Sequence, residues 1–447
     1  MRLHPLASET IAGIGRAIEA RECSCASVVE ACLTRIDERE PQVKAWVSVD
    51  RAGALARARE LDRELAAGWR RGPLHGIPIG IKDLVDIAGL PTAAGAPWLA
   101  NAVATVDAPI VERLRGAGAV ILGKTVTTQF ACFDPPPTRN PWNVDRTPGG
   151  SSSGSAAAVA SGMCLGAIGS QTGGSITRPA AFCGVAGCKP TFGLVPLKGV
   201  YPLSPSLDHG GPIARTVTDL AILLEVLVDP ACSTAWRTAN SATGGTGPFQ
   251  CAASVKLGRL RGPFDQKAEP AALAAFDAAL DQLSQFGASI RDVALPVEFD
   301  DVFRCHRTVM TREIANHHRP FFAEHLPEYL PCIRGIVEEG LQVSDEDYDR
   351  SRRHQQALTP AVVKAMHDVD VLVLPAAAGP APAPETTGDP SFNSPWSYTG
   401  LPTVSFPNSL SPEGLPLAIQ LVGRPHGEPG LFAAALWCER CIADQSK

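Results

Sequence analysis

Two short runs rich in glycine and serine hold the residues best suited to chemistry: Gly149-Gly-Ser151-Ser-Ser-Gly-Ser155 and Gly169-Ser-Gln-Thr-Gly173-Gly174-Ser175-Ile-Thr-Arg178-Pro179. Glycine in place of a larger residue lets backbone N–H groups approach a ligand closely. Such groups bind an anion, either a phosphate or the oxyanion that develops during acyl transfer. The phosphate reading has a nearby competitor, because Gly118-Ala-Val-Ile-Leu-Gly123-Lys124-Thr125 satisfies G-x-x-x-x-G-K-[ST] letter for letter. There the four intervening residues are themselves the expected strand, and no helix pattern opens at Thr125, so a phosphate loop is rejected. Gly150-Ser-Ser152-Ser-Gly154 matches the nucleophile-elbow pattern, yet residues 143–148 before it form a polar, proline-bearing turn where a strand is required.

The elements that must position these runs alternate along the chain. Ile11, Ile14, Ala17 and Ile18, then Val28, Val29, Cys32, Leu33 and Ile36, recur at helical spacing and predict two or three amphipathic helices over 7–65. Gly76-Ile-Pro-Ile-Gly-Ile-Lys82-Asp83 reads as a short apolar strand ending in a cation. Residues 108–115 read as a helix, 119–122 as a buried strand, 155–163 as an alanine-rich helix, 165–169 as a strand and 221–228 as a helix. This alternation predicts an α/β fold whose central, mostly parallel mixed sheet is covered by helices on both faces. Residues 229–247 read as a surface excursion and 268–370 as mainly helical. Strands follow at 369–374, 401–406 and 418–422, then a closing helix. With no repeat and no clean linker, the expectation is a single domain over 1–447. Its core lies at about 70–220, a variable helical insertion at about 230–385, and the C-terminal strands and helix at 388–447.

A chain of 447 residues buries a sizeable core easily, and 45% hydrophobic against 19% charged residues marks a globular composition. The net charge of −6 argues against nucleic acid as a partner, since phosphate binding wants a basic surface. Thirteen cysteines follow no framework spacing, and the lone C-x-x-C at Cys438 and Cys441 falls in a helical stretch, so reduced thiols are expected. No signal peptide is read at the N-terminus, and no apolar run approaches the roughly 18–20 residues of a membrane span. The expectation is a cytoplasmic enzyme without a membrane partner.

With these motifs in view, the chain resembles the amidase signature family. The resemblance rests on the Gly76–Asp83 segment, Thr147-Pro-Gly-Gly-Ser151-Ser, Thr172-Gly-Gly-Ser175-Ile, Pro179-Ala-Ala-Phe-Cys-Gly184 and Lys189-Pro-Thr. Asp208-His-Gly-Gly-Pro212, Gly400-Leu-Pro-Thr403, Gly414-Leu-Pro416 and Gln420 add to it, and Ser151 and Ser175 stand at the family's spacing. It is close over 70–220, fair over 388–425 and poor between. It implies a catalytic triad of Lys82, Ser151 and Ser175. Ser175 would attack the amide carbonyl, Ser151 (after a cis peptide bond from Gly150) would relay the proton, and Lys82 would be the terminal base. Thr172, Gly173, Gly174 and Ser175 would offer N–H groups to the oxyanion. A lysine serves as base only when neutral. With a reference pKa of about 10.4, neutrality at pH 7 costs roughly 4–5 kcal/mol unless burial lowers the pKa. Considered singly, Lys82 would be a strand-end lysine paired with Asp83, and either serine a helix cap.

Two positions depart from the family pattern. Asp four residues before the nucleophile and Arg two after it are replaced by Gln171 and Thr177, which reads as the loss of one paired interaction. Arg178, one helical turn past Ser175, is then expected to receive a carboxylate on the substrate. Gly150, Gln171, Gln129, Tyr398 and Trp396 are further candidates for lining the pocket. Asp208 and His209 are read as structural. No metal-ligand spacing occurs, and no cofactor is implied. The expected activity is hydrolysis of a small carboxamide to acid and ammonia through an acyl-enzyme. The alternative is the glutaminase (A-type) component of a tRNA-dependent amidotransferase, whose members usually keep the Asp and Arg replaced here. A homodimer is the expected assembly, although no segment specifies it.

Overall fold

The apolar runs of the sequence converge on one sheet in the computed structural model, which describes residues 9–228 and 251–443. Its strands are β1 (Trp46–Val49), β2 (Pro78–Lys82), β3 (Val120–Thr125), β4 (Gly166–Gln171), β5 (Ala186–Lys189), β6 (His209–Ala214), β7 (Lys256–Leu260), β8 (Ser289–Val293), β9 (Val371–Pro375), β10 (Thr403–Leu410) and β11 (Pro416–Val422). Their order is β1-β3-β2-β4-β6-β5-β10-β11-β9-β7-β8. The sheet is mixed. Parallel pairing joins β3, β2 and β4 towards one edge and β9, β7 and β8 at the other. The middle, from β4 through β6, β5, β10 and β11 to β9, is antiparallel, as is β1 on β3. The parallel expectation therefore holds on the two flanks, while hairpin-like returns fill the centre. Every residue of β2, β3, β4, β6 and β9 is buried, which requires helices on both faces.

One hydrophobic core holds the N-terminal helices Ile11–Glu19, Cys25–Val43 and Arg51–Ala66 against β2 to β4, with Val28, Val29, Cys32, Leu33 and Ile36 inward as their spacing dictates. A second core packs Val302–His318 against Pro331–Gln342 and Asp345–Ala365 through Val309, Ile333, Val337, Leu358 and Val362, and meets Phe392 and Trp396. Helix Ser153–Ala160 is buried on all sides. A Cβ at its Gly154 would lie 2.2 Å from the Ala45 carbonyl oxygen, so only glycine lets the helix pass there.

Strands β1, β5, β6, β7 and β8 escaped the sequence reading. β1 and β8 are edge strands with mostly solvent-exposed residues, and in β8 polar side chains such as Arg291 and Asp292 blunt the apolar alternation. In β5, β6 and β7 glycines and charged or polar residues interrupt the apolar run. The excursion read at 229–247 lies outside the described residues. Cys438 and Cys441 are buried, unbridged thiols on helix Glu428–Ala443. Among the described residues no helix is long and apolar enough to cross a membrane.

Candidate active site

Strand β2 carries Lys82 into the interior, where its side chain is 0% exposed. Its Nζ lies 2.8 Å from Ser151 Oγ, 2.9 Å from Ser170 Oγ and 3.4 Å from the Ser170 carbonyl oxygen. Among the described residues no carboxylate lies within ion-pair distance of it. Asp83 instead pairs with Lys124 at 2.8 Å. Burial pushes the Lys82 ammonium well below its ordinary value, and the more distant Asp208 opposes this only in part. Desolvation without a paired charge favours the neutral amine.

Ser151 follows a cis peptide bond from Gly150. The Gly150 carbonyl accepts from Arg178 Nη2 at 2.8 Å. A Cβ at 150 would stand 2.7 Å from Thr387 Cγ2, so the wall formed there by Thr387 and Thr128 demands glycine. Strand β4 ends at Gln171, and the turn 172–176 swings Ser175 beside the other run, where its carbonyl accepts from Ser152 N at 3.2 Å. Ser175 is 8% exposed. Among the described residues its Oγ has no hydrogen-bond partner, and the N–H groups of Gly173, Gly174 and Ser175 have no acceptor. The structure thus joins Lys82 to Ser151 and brings the Ser175 backbone alongside, while the two serine hydroxyls are not hydrogen-bonded to each other. Thr172 Oγ1 donates to Asp208 Oδ1 at 2.5 Å, and Asp208 Oδ2 accepts from Leu203 N and Ser204 N. Burial raises the Asp208 carboxyl to about 6.

A family model described as Amidase matches residues 27–432. The chain belongs to the amidase signature family. It is 37% identical to an amidase of Pseudomonas putida over 96% of this chain and 95% of that one. It is 34% identical to the A-type component of the glutamyl-tRNA(Gln) amidotransferase of Carboxydothermus hydrogenoformans, covering 94% of each. A crystal structure of an amidase superposes with a TM-score of 0.85 at 31% identity, covering 97% of this chain and 99% of that chain. The chain is an amidase-family hydrolase of amide C–N bonds.

In this amidase signature chain the two departures form one neutral unit. Gln171 Oε1 accepts from Ile176 N at 2.8 Å, Thr177 N at 3.0 Å and Thr177 Oγ1 at 3.2 Å, so a carboxamide–hydroxyl contact ties the turn together. Gln171 Nε2 donates to Ser397 Oγ at 3.3 Å, so both ends of its amide are engaged within the protein. Arg178 is buried, and burial lowers it to about 10, with Asp389 partly restoring it. Besides Gly150, its Nη2 reaches Thr387 Oγ1 at 3.3 Å, while Nε and Nη1 have no partner among the described residues. Gln129 spends both ends of its amide on the Glu328 carbonyl and the Leu330 N–H. The Tyr398 hydroxyl donates to the Ser351 carbonyl, and Trp396 Nε1 to the Phe392 carbonyl.

Three polar neighbours escaped the sequence reading. Ser170 is the second hydroxyl on Lys82, and its place in the Gly169–Ser175 run was the available signal. His306 Nε2 lies 2.9 Å from the Thr172 carbonyl oxygen, and Ser397 Oγ donates to the Gly173 carbonyl at 2.9 Å. Neither announces itself by a local pattern.

Proposed function

We propose that Ser175 is the acyl-forming nucleophile of a small-carboxamide hydrolase, activated by neutral Lys82 through Ser151. The observation that carries this reading is the desolvated, carboxylate-free amine of Lys82 at 2.8 Å from Ser151 Oγ. A serine hydroxyl needs an adjacent base, and a lone-pair-bearing amine held neutral by burial supplies one. As Ser175 Oγ attacks the carbonyl carbon, its proton passes to Ser151 Oγ and the Ser151 proton passes to Lys82 Nζ. The carbonyl oxygen takes the negative charge and is met by the unfilled N–H groups of Gly173, Gly174 and Ser175, with Thr172 beginning the same turn. When the tetrahedral intermediate collapses, the proton returns by the same route to the leaving nitrogen, and ammonia departs. Water then repeats the sequence on the acyl-enzyme and releases the acid. This route requires Ser175 Oγ to donate to Ser151 Oγ once substrate is bound, and catalytic hydrogen bonds commonly tighten only at that stage.

The substrate proposed is an amide that carries a carboxylate. Two unpartnered nitrogens of a buried guanidinium support this, since a carboxylate binds such a fork in two places. Gly150 and the neighbouring Thr128 and Thr387 would line that pocket. The role of Arg178 is tested with Arg178→Ala on succinamate and on butyramide, its neutral analogue of similar length. The ratio of kcat/KM for the acidic over the neutral amide is expected to fall on the order of 10²-fold, the strength of a lost charge-assisted pair. An equal loss on both would reject the carboxylate reading.

The 34% identity to an A-type amidotransferase component supports a second reading, a glutaminase that works with a partner. Copurification with a second protein, or strict preference for glutamine over succinamate, would decide for it.

A further inference from the structure

Each carbonyl of the turn 172–175 shares a planar trans peptide with the next residue's N–H, so the two point in opposite directions. Whatever grips the carbonyl of Thr172 therefore sets the aim of the Gly173 N–H, and the grip on Gly173 sets that of Gly174. Both carbonyls are held by side chains from outside the glycine–serine runs. His306, on helix Val302–His318, places Nε2 at 2.9 Å from the Thr172 oxygen. Ser397, on helix Ser394–Tyr398, donates Oγ–H to the Gly173 oxygen at 2.9 Å and itself accepts from Gln171 Nε2 at 3.3 Å.

The imidazole has a defined state. A carbonyl only accepts, so His306 Nε2 carries the proton. Burial lowers the ring to about 4, with Arg307 adding to this and the Thr172 bond opposing it, so it is neutral at physiological pH. His306 is 6% exposed, and its Cε1 lies 3.9 Å from where a Cβ on Gly173 would stand, so the ring backs the turn directly. A Cβ on Gly174 would lie 2.7 Å from Asn393 Oδ1, so the Asn393 side chain packs closely on the turn and leaves room there only for glycine.

We propose that His306 and Ser397 are positioning residues that aim the Gly173 and Gly174 N–H groups at the oxyanion by fixing the carbonyls behind them. This rests on the reading of Ser175 as nucleophile and of its turn as the oxyanion site. Neither residue touches the reacting atoms. Their contribution is pre-organisation, which matters because the charge they help stabilise exists only in the transition state.

The test pairs a disruptive with a conservative change at each position: His306→Leu against His306→Gln, whose amide keeps a donor, and Ser397→Ala against Ser397→Thr. On succinamate, His306→Leu and Ser397→Ala are expected to lower kcat about 10- to 100-fold. That is less than the 10²–10³ typical of deleting an oxyanion donor outright, because the N–H remains but is misdirected. KM is expected to stay within about twofold, His306→Gln and Ser397→Thr to recover most of the rate, and the Kd of phenylboronic acid to weaken by the same factor as kcat. Equal impairment by the disruptive and conservative variants would overturn the proposal. So would a loss confined to KM, or unchanged boronate binding. Should His306→Leu fail to fold, the Ser397 pair and His306→Gln carry the test. Ser175→Ala separates the two layers: turnover without Ser175 removes the underlying reading. A dead Ser175→Ala beside a fully active His306→Leu and Ser397→Ala removes only the positioning role.

Discussion

Lys82 and Lys124 stand on neighbouring parallel strands, one register step apart, and both are all but withdrawn from solvent. Lys124 meets the Asp83 carboxylate at 2.8 Å, with the Pro91 carbonyl and Thr92 Oγ1 completing its shell. Lys82 meets two hydroxyls and one carbonyl. Burying a charge is costly unless it is paired. Burial therefore lowers both amines, but beside Lys124 the carboxylate opposes the shift directly, whereas Lys82 feels only the more distant Asp208 and falls well below its ordinary range. On the proposed reading, the placement of one carboxylate separates a lysine that braces the sheet from one that can take a proton. Charge alone would not have told them apart in the sequence, where Lys82 and Asp83 are neighbours and invite the wrong pairing.

The sharpest way to break that comparison is to replace each amine by methionine. Lys82→Met is expected to lower kcat/KM on succinamate by about 10⁴-fold or more, as loss of the proposed terminal base would. Its stability to urea is expected to match or exceed that of the wild type. The sign follows from linkage: with its folded pKa depressed, Lys82 binds fewer protons folded than unfolded at neutral pH, so it weighs against folding below the unfolded value of 10.5 and ceases to do so above it. The gain from Lys82→Met should accordingly shrink as the pH is raised towards 10. Marked destabilisation would place Lys82 among the bracing residues and end the distinction.

Lys124→Met should do the reverse. It strands Asp83 in the interior, so urea unfolding is expected to show a loss of about 3–5 kcal/mol, and a second change, Asp83→Leu, should recover most of it. Folded Lys124→Met is expected to keep turnover within about tenfold of the wild type. A stable Lys124→Met would remove the bracing role. A smaller effect sharpens the picture at the edge of the site: Gln171→Leu leaves the N–H groups of Ile176 and Thr177 and the Thr177 hydroxyl without their shared acceptor, and should cost about 1–3 kcal/mol in the same melt.

What the sequence made legible was local. Apolar spacing located the helices over 11–66, and apolar runs located β2, β3, β4, β9, β10 and β11. The parallel bias did not foresee the antiparallel centre, because pairing direction depends on where the chain returns and not on the strand's own residues. The neutral replacement at Gln171 and Thr177 was visible as one missing pair, and the structure shows one neutral contact in its place. His306 and Ser397 were invisible for a physical reason: their contacts with the turn join residues 134 and 224 positions apart, and nothing in a helix containing His306 distinguishes it from a packed core histidine. Ser170 was within sight, but whether its hydroxyl faces Lys82 is set by the pleat once β4 pairs with β2.

The most direct measurement follows the rate at which a fluorophosphonate labels the protein across a range of pH, with the modified peptide identified by mass. Labelling at Ser175 is predicted. Its rate should fall about tenfold per pH unit on the acid side of the depressed Lys82 pKa, and the acid limb should vanish with the activity in Lys82→Met. An adduct elsewhere, or an unchanged rate and pH profile in Lys82→Met, would contradict a neutral lysine drawing the proton from Ser175.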